Sequence, residues 1–210
     1  MQSVDNKAPI EEGNGVTDFT FRSTTPLRTI LDDIRSATAD LSEADKGHRF
    51  EVLMKRYFQT DPTYKARFSD VWLWNEWPYS KGHDVGIDIV AKEADSDQYV
   101  AIQCKFYAPD YLMSAHDVDT FFMALNSSVK TEHSDKDKFA GGIIVATTDH
   151  WNKVLLDALL TQHIPCQHIG LSDLEEAAID WTTILKGQGE ITKYQPRPHQ
   201  SEAIDAVMAG

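Results

Sequence analysis

The chain has 210 residues, 41% of them apolar and 10% aromatic, enough for one sizeable domain with a core of its own and appended segments. Its 33 acidic residues outnumber 20 basic ones, a net charge of −13, which argues against a chain that grips nucleic acid through a broad basic surface. No run approaches the ~20 apolar residues that span a bilayer, no basic-then-apolar leader is evident, and Cys104 and Cys166 lack the spacing of a structural zinc site. A cytoplasmic protein with two buried free thiols is expected.

Residues 1 to 24 are polar and aperiodic and read as a loose arm. Thr25-Pro26 offers an N-cap followed by proline at the first helical position, predicting a helix to about Ala39 that buries Leu27, Ile30, Leu31 and Ile34. Ser42 with Asp45 is a variant of the capping box. It opens a second helix in which Phe50, Leu53, Met54, Tyr57 and Phe58 form one apolar stripe. Glu51 lies at the edge of that stripe, where a carboxylate either is solvated or reaches the seam between helix and sheet. Asp61-Pro62 ends the helix. Val71 to Trp74 reads as a strand, and its tryptophans, with Trp77, fit packing better than a stacking platform for bases. Lys81 and His83 stand in a polar loop within reach of a phosphate or in a plain turn.

The stretch from His83 to Lys105 contains two alternating, β-branched runs, His83–Val90 and Tyr99–Lys105, around the polar loop Lys92–Gln98, which predicts a hairpin. Alternate side chains share a face. Val100, Ile102 and Cys104 then face one way and Ala101, Gln103 and Lys105 the other. In the first strand Ile87 and Ile89 share a face opposite Gly86, Asp88 and Val90. A loop centred between Asp95 and Ser96 pairs residues whose numbers sum to 191, setting Asp88 opposite Gln103. An acid, an amide and a lysine would converge there. The two oxygen donors suit magnesium, and the lysine suits orientation of a nucleophile. The same spacing also fits an exposed hairpin with ordinary polar residues.

Further on, Ala115 starts a helix burying Val118, Phe121, Phe122 and Leu125. Ser127 to Lys138 is a charged loop. Gly142–Thr147 is a buried strand, Trp151–Gln162 a helix, Pro165–Ile169 a short strand, and Ser172 caps a helix through Ala178. His163 and His168 flank the short strand without metal-ligand spacing and read as structural or exposed. The alternation of strands and helices predicts an α/β sandwich with a mixed sheet.

The glycine-rich entry to Asp88, followed one hairpin later by Gln103-Cys104-Lys105, resembles the Mrr-like branch of the PD-(D/E)xK nucleases, in which Gln commonly replaces the second acid. Gly47-His48-Arg49-Phe50-Glu51 resembles that family's first-helix motif, and Gly141 to Thr148 a later core strand. The resemblance spans roughly residues 42 to 170. It implies a central mixed sheet flanked by helices and a magnesium-dependent endonuclease in which Glu51, Asp88 and Gln103 hold metal and Lys105 orients the attacking water. Rival implications are a non-catalytic scaffold of the same fold that binds DNA or docks a motor, and an RNA endonuclease.

The tail Tyr194-Gln195-Pro196-Arg197-Pro198-His199-Gln200 resembles the opening of a superfamily 2 helicase motor, in which Gln200 would read the adenine of ATP. No complete phosphate-binding loop accompanies it, so ATP would act only through a motor downstream. The expected division is an arm and helix at 1–40, the nuclease domain at 41–186, and a linker with the start of a motor at 187–210. That order resembles single-chain, ATP-dependent restriction–modification enzymes of the type ISP class. Double-stranded DNA, a helicase-like motor and a methyltransferase in the same polypeptide are the partners it implies, with no membrane.

Overall fold

The computed structural model describes residues 24–36, 42–80, 82, 85–134 and 136–186. The amino-terminal arm before residue 24, Ala39, Lys81, His83 and the tail with Gln200 lie outside the described residues.

Helix α1, Pro26–Ser36, buries Leu27, Ile30, Leu31 and Ile34, the four positions its periodicity marks. Helix α2, Glu43–Thr60, starts at the expected capping box, Ser42 and Asp45 exchanging hydrogen bonds. It buries all five residues of its stripe. Asp61-Pro62 ends α2 and also begins another helix, α3, Pro62–Arg67, in addition to the elements expected from the sequence. The Asp61 carboxylate accepts from the amides of Thr63 and Tyr64, and proline at the first position loses no intrahelical bond. One Asp-Pro pair therefore stops one helix and caps the next.

Strand β1, Phe68–Leu73, is followed by β2, Ile89–Glu93, and β3, Tyr99–Lys105. A 3-10 turn, Ala115–Val118, leads into α4, Asp119–Asn126. Then come β4, Gly141–Ala146; α5, Lys153–Thr161; β5, Cys166–Ile169; α6, Leu171–Glu176; and α7, Trp181–Lys186. Phe122 is only half-buried; Phe121 and Leu125 carry the buried stripe of α4. The last helix was not predicted, because its core Trp-Thr-Thr-Ile has weak helix propensity. Asp180 compensates by accepting from the Thr182 amide and from both threonine hydroxyls, and buried Trp181 donates its Nε1 to the Leu174 carbonyl.

The five strands lie in the order β1-β2-β3-β4-β5. The first three pair antiparallel, and β3 pairs parallel with β4, as β4 does with β5. This is the expected α/β class with a mixed sheet. Both faces are covered, so β3 and β4 read as nearly continuous buried runs. One face carries Ile89, Val100, Ile102 and Val145 against α1, α2 and α7. The other carries Val90, Ala101 and Ile144 against α4 and α5. Helix α4 lies so close to the sheet that a Cβ at Gly142 would meet Leu125 Cδ2 at 2.9 Å.

His168 stands within β5 rather than beside it and is exposed, its ring 4.9 Å from Trp151. Cys104 and Cys166 are free thiols, half-buried rather than fully buried.

Candidate active site

The site grows from the open end of the β2–β3 hairpin. Ile89 stands opposite Ile102 and Val90 opposite Ala101, the register that the alternation predicts. One residue earlier the ladder changes character. The Asp88 amide donates to the Ile102 carbonyl at 3.0 Å, and the Asp88 carbonyl accepts from the Trp74 amide at 2.7 Å. The Asp88 carboxylate turns inward, its Oδ2 accepting from the Cys104 amide at 2.7 Å. A side-chain oxygen thus does what a strand carbonyl would do, which fixes the carboxylate against β3.

The first strand is shorter than the sequence suggests: it begins at Ile89, not His83. Gly82 and Gly86 adopt φ of 78° and 81°, values that favour glycine and break a strand. At Gly86 the helix is also close. An added Cβ would stand 2.8 Å from Thr120 Oγ1 and 3.1 Å from backbone atoms of α4. The break reverses the alternation, so Ile87 packs into the α4–α5 core while Ile89 packs into the α1–α2 core. The expectation that Ile87 and Ile89 share a face is corrected accordingly.

Asp88, Gln103 and Lys105 line one cavity of about 730 Å³. Gln103 is 3% exposed, and its Oε1 is buried with no hydrogen-bond partner. An amide oxygen left so is costly, typically ~1–3 kcal/mol, and such a group calls for an explanation. Among the described residues no hydrogen bond or ion pair engages the Lys105 amine. The cavity's other walls come from the β1–β2 connection, through Trp74, Trp77 and Tyr79, and from α4 and the loop after it, through Thr120, Ala124 and Lys130. Of these walls the sequence singles out only Trp74 and Trp77, as packing residues in preference to a platform for bases, and gives no signal for the rest.

Glu51 does not line this cavity. It projects from α2, which packs on β1 and β3; its side chain is 26% exposed and its Oε2 lies 3.1 Å from His48 Nδ1. The link between it and the hairpin is Cys104. Burial pushes that thiol up, the carboxylates of Asp88 and Glu51 push it further, and Lys105 opposes them. Three of the four sequence-derived residues therefore share one cavity, and the fourth stands within electrostatic reach of Cys104 at its back.

The donor chemistry suits a hard cation. Asp88 and Gln103 offer oxygen atoms, and Glu51 adds a second carboxylate nearby; magnesium takes one or two protein carboxylates and keeps several waters. Among the described residues no group of three or more His, Cys, Asp or Glu is placed to hold a metal ion.

A family model described as restriction endonuclease matches residues 59–191, more than half of the chain. The chain belongs to the restriction endonuclease family. The match includes Asp88, Gln103 and Lys105 and begins after Glu51. Among solved structures the chain resembles the ATP-dependent type ISP restriction–modification enzyme LlaBIII bound to DNA, with 26% identity and a TM-score of 0.56 over 85% of this chain. It spans only 11% of the length of that protein. The MspJI restriction endonuclease in complex with a 27-mer oligonucleotide matches at 15% identity and a TM-score of 0.45, over 85% of this chain and 39% of that one. No curated protein sequence matches. Among the described residues no helix is long and apolar enough to cross a membrane.

Proposed function

We propose that this restriction endonuclease domain hydrolyses DNA phosphodiester bonds with magnesium as its cofactor, using Asp88, Gln103 and Lys105 with Glu51 as an outlying carboxylate. The observation that carries the reading is the orphaned Gln103 Oε1, buried in the cavity that Asp88 and Lys105 also line. A buried acceptor without a partner is accounted for if a cation is its partner. When bound, the metal would lower the pKa of a water and neutralise charge on the phosphate. The chain's own residues do the rest. Asp88, held by the Cys104 amide, presents its carboxylate without having to reorganise. The Lys105 amine donates to the attacking water or to the phosphate oxygens, where negative charge builds. Gln103 is neutral, so the donor set carries less negative charge than one with glutamate there. Metal then binds weakly until a substrate phosphate completes the site.

The net charge of −13 gives the domain little counterion release and weak affinity for a duplex. DNA is better held by another part of a larger enzyme. The likeness to a type ISP enzyme and the helicase-like tail with Gln200 support a cytoplasmic restriction enzyme in which 187–210 leads into an ATP-driven motor and a methyltransferase follows. A motor on a short tether would supply DNA at effective concentrations in the ~millimolar range.

The test is Asp88→Asn in the intact protein, which keeps an acceptor for Cys104 and removes the charge. DNA cleavage in magnesium should fall at least ~10²-fold, with ATP-driven movement kept. Undiminished cleavage by a clean preparation removes Asp88 from the reaction. Equal cutting of an RNA duplex would replace DNA by RNA as the substrate.

A further inference from the structure

The cavity is larger and more aromatic than a metal and a phosphate require. Phosphodiester groups are recognised by cations and hydrogen-bond donors, yet one wall is made of Trp74, Trp77, Tyr79 and Val85. A volume of about 730 Å³ lies within the ~300–1,000 Å³ of sites that enclose small organic molecules. Trp77 carries a second unexplained group. It is 2% exposed, and its Nε1 is buried with no partner. Its ring is locked by neighbours, with centroids 5.5 Å from Trp74, 5.6 Å from Tyr79 and 5.3 Å from Tyr99, so it does not simply turn to find one. An indole N–H can only donate. Its partner would be an acceptor, and a carbonyl oxygen or an unprotonated ring nitrogen on a flat, apolar ligand lying along this wall would supply one.

We propose that this wall is a nucleobase subsite: it takes the unstacked base of a nucleotide next to the phosphate that is cut. Resting on the reading of Asp88, Gln103 and Lys105 as the cutting site, it deepens that reading by defining the substrate's shape. Every base has a π-face for the aromatic wall and at least one acceptor for Trp77 Nε1. Fully stacked duplex cannot deliver a base to a buried tryptophan, so the nucleotide must first leave the stack. The subsite therefore favours DNA that is single-stranded, frayed or held open at the cut. Ala124 of α4 lines the same space, so a larger side chain there would narrow it.

The test uses the intact protein in calcium, at low salt, with two probes: a tetranucleotide of thymidine, and the same sugar–phosphate chain with every base removed. Base stacking on aromatic side chains predicts at least ~10-fold tighter binding of the first, with quenching of tryptophan fluorescence. Trp77→Phe, which keeps a ring and loses the donor, should reduce that preference. Ala124→Phe, which narrows the cavity from α4 and leaves Asp88, Gln103 and Lys105 unsubstituted, should abolish it, and decides the matter if Trp77→Phe fails to fold. Equal binding of the two probes, or a preference that survives Ala124→Phe, overturns the subsite. Because binding is read without cutting, this outcome is distinct from failure of the nuclease reading, which appears as cleavage surviving Asp88→Asn.

Discussion

The two ends of the β2–β3 hairpin are built from similar residues and treated in opposite ways. At the loop end, Lys92 is paired with Asp97 at 3.0 Å and Glu132 at 3.1 Å, and the Tyr99 hydroxyl donates to Glu132 at 2.7 Å. Acid, base and hydroxyl all satisfy one another. At the open end, Asp88 is tied to the Cys104 amide, but Gln103 Oε1 is buried without a partner and the Lys105 amine engages no hydrogen bond or ion pair among the described residues. Satisfied polar networks rigidify a fold, whereas unsatisfied ones cost stability and persist where a ligand supplies the missing partner. The loop end is thus a clasp and the open end a receptor.

The contrast can be broken hardest at Gly86. Alanine there must adopt φ near 81° and press its Cβ on Thr120 and the α4 backbone. Strained positions of this kind cost ~1–3 kcal/mol each. Urea unfolding of Gly86→Ala should show that loss, and cleavage should fall too because α4 is displaced from the cavity. Unchanged stability would mean that the turn before Asp88 is not set by this contact.

Replacing Gln103 by leucine should act in the reverse sense on stability. It removes a buried acceptor that has no partner, and in metal-free buffer should stabilise the domain by ~1–2 kcal/mol. Magnesium with a substrate phosphate should raise the melting temperature of the wild type and leave that of Gln103→Leu unmoved. A destabilised Gln103→Leu would show that the amide is already satisfied in solution.

The smallest effect belongs to the clasp. Partial burial alone would push the Glu132 carboxyl up, but hydrogen bonds from Tyr99, its own backbone, Lys92 and Tyr79 outweigh it and hold the group down at about 2. Its folded value is thus depressed below the ordinary 4.5. The stability it contributes is full above pH 4.5 and disappears as pH falls from there towards 2. For so exposed a group, solvent screening leaves about a few tenths to 1 kcal/mol. Unfolding between pH 6 and 2.5 should show the wild type losing more stability than Glu132→Gln. Parallel pH profiles would show that the clasp adds nothing.

Much of this was legible in sequence because strand alternation is a strict period of two. Tyr99–Lys105 reads as a strand from its β-branched run, and its pairing follows from the loop between Asp95 and Ser96. Asp88, Gln103 and Lys105 are thereby brought to one place before any tertiary contact is known. The stripe of α2 and the cap at Ser42 are equally local. The fate of Ile87 was not legible, because a positive φ at Gly86 reverses the alternation, and only the close approach of α4 explains why that turn is there. Nor was α7, whose helix depends on Asp180 and on the seat for Trp181 beneath α6.

The sequence by itself determined most of the elements, though not α3 or α7, and the register of the hairpin where it is paired, since these follow from short-range periodicity and capping. Only the tertiary structure decided what surrounds Asp88. The Trp74–Trp77 connection, α4 and the Lys130 loop come from separate parts of the chain, and no local rule states that they close one cavity. The same holds for Glu51. Its place on the helix was readable, but its distance from the others depends on how α2 packs across β3, on the face away from the cavity. Burial and orphaned hydrogen-bonding groups are properties of that packing, and they make Gln103 and Trp77 meaningful.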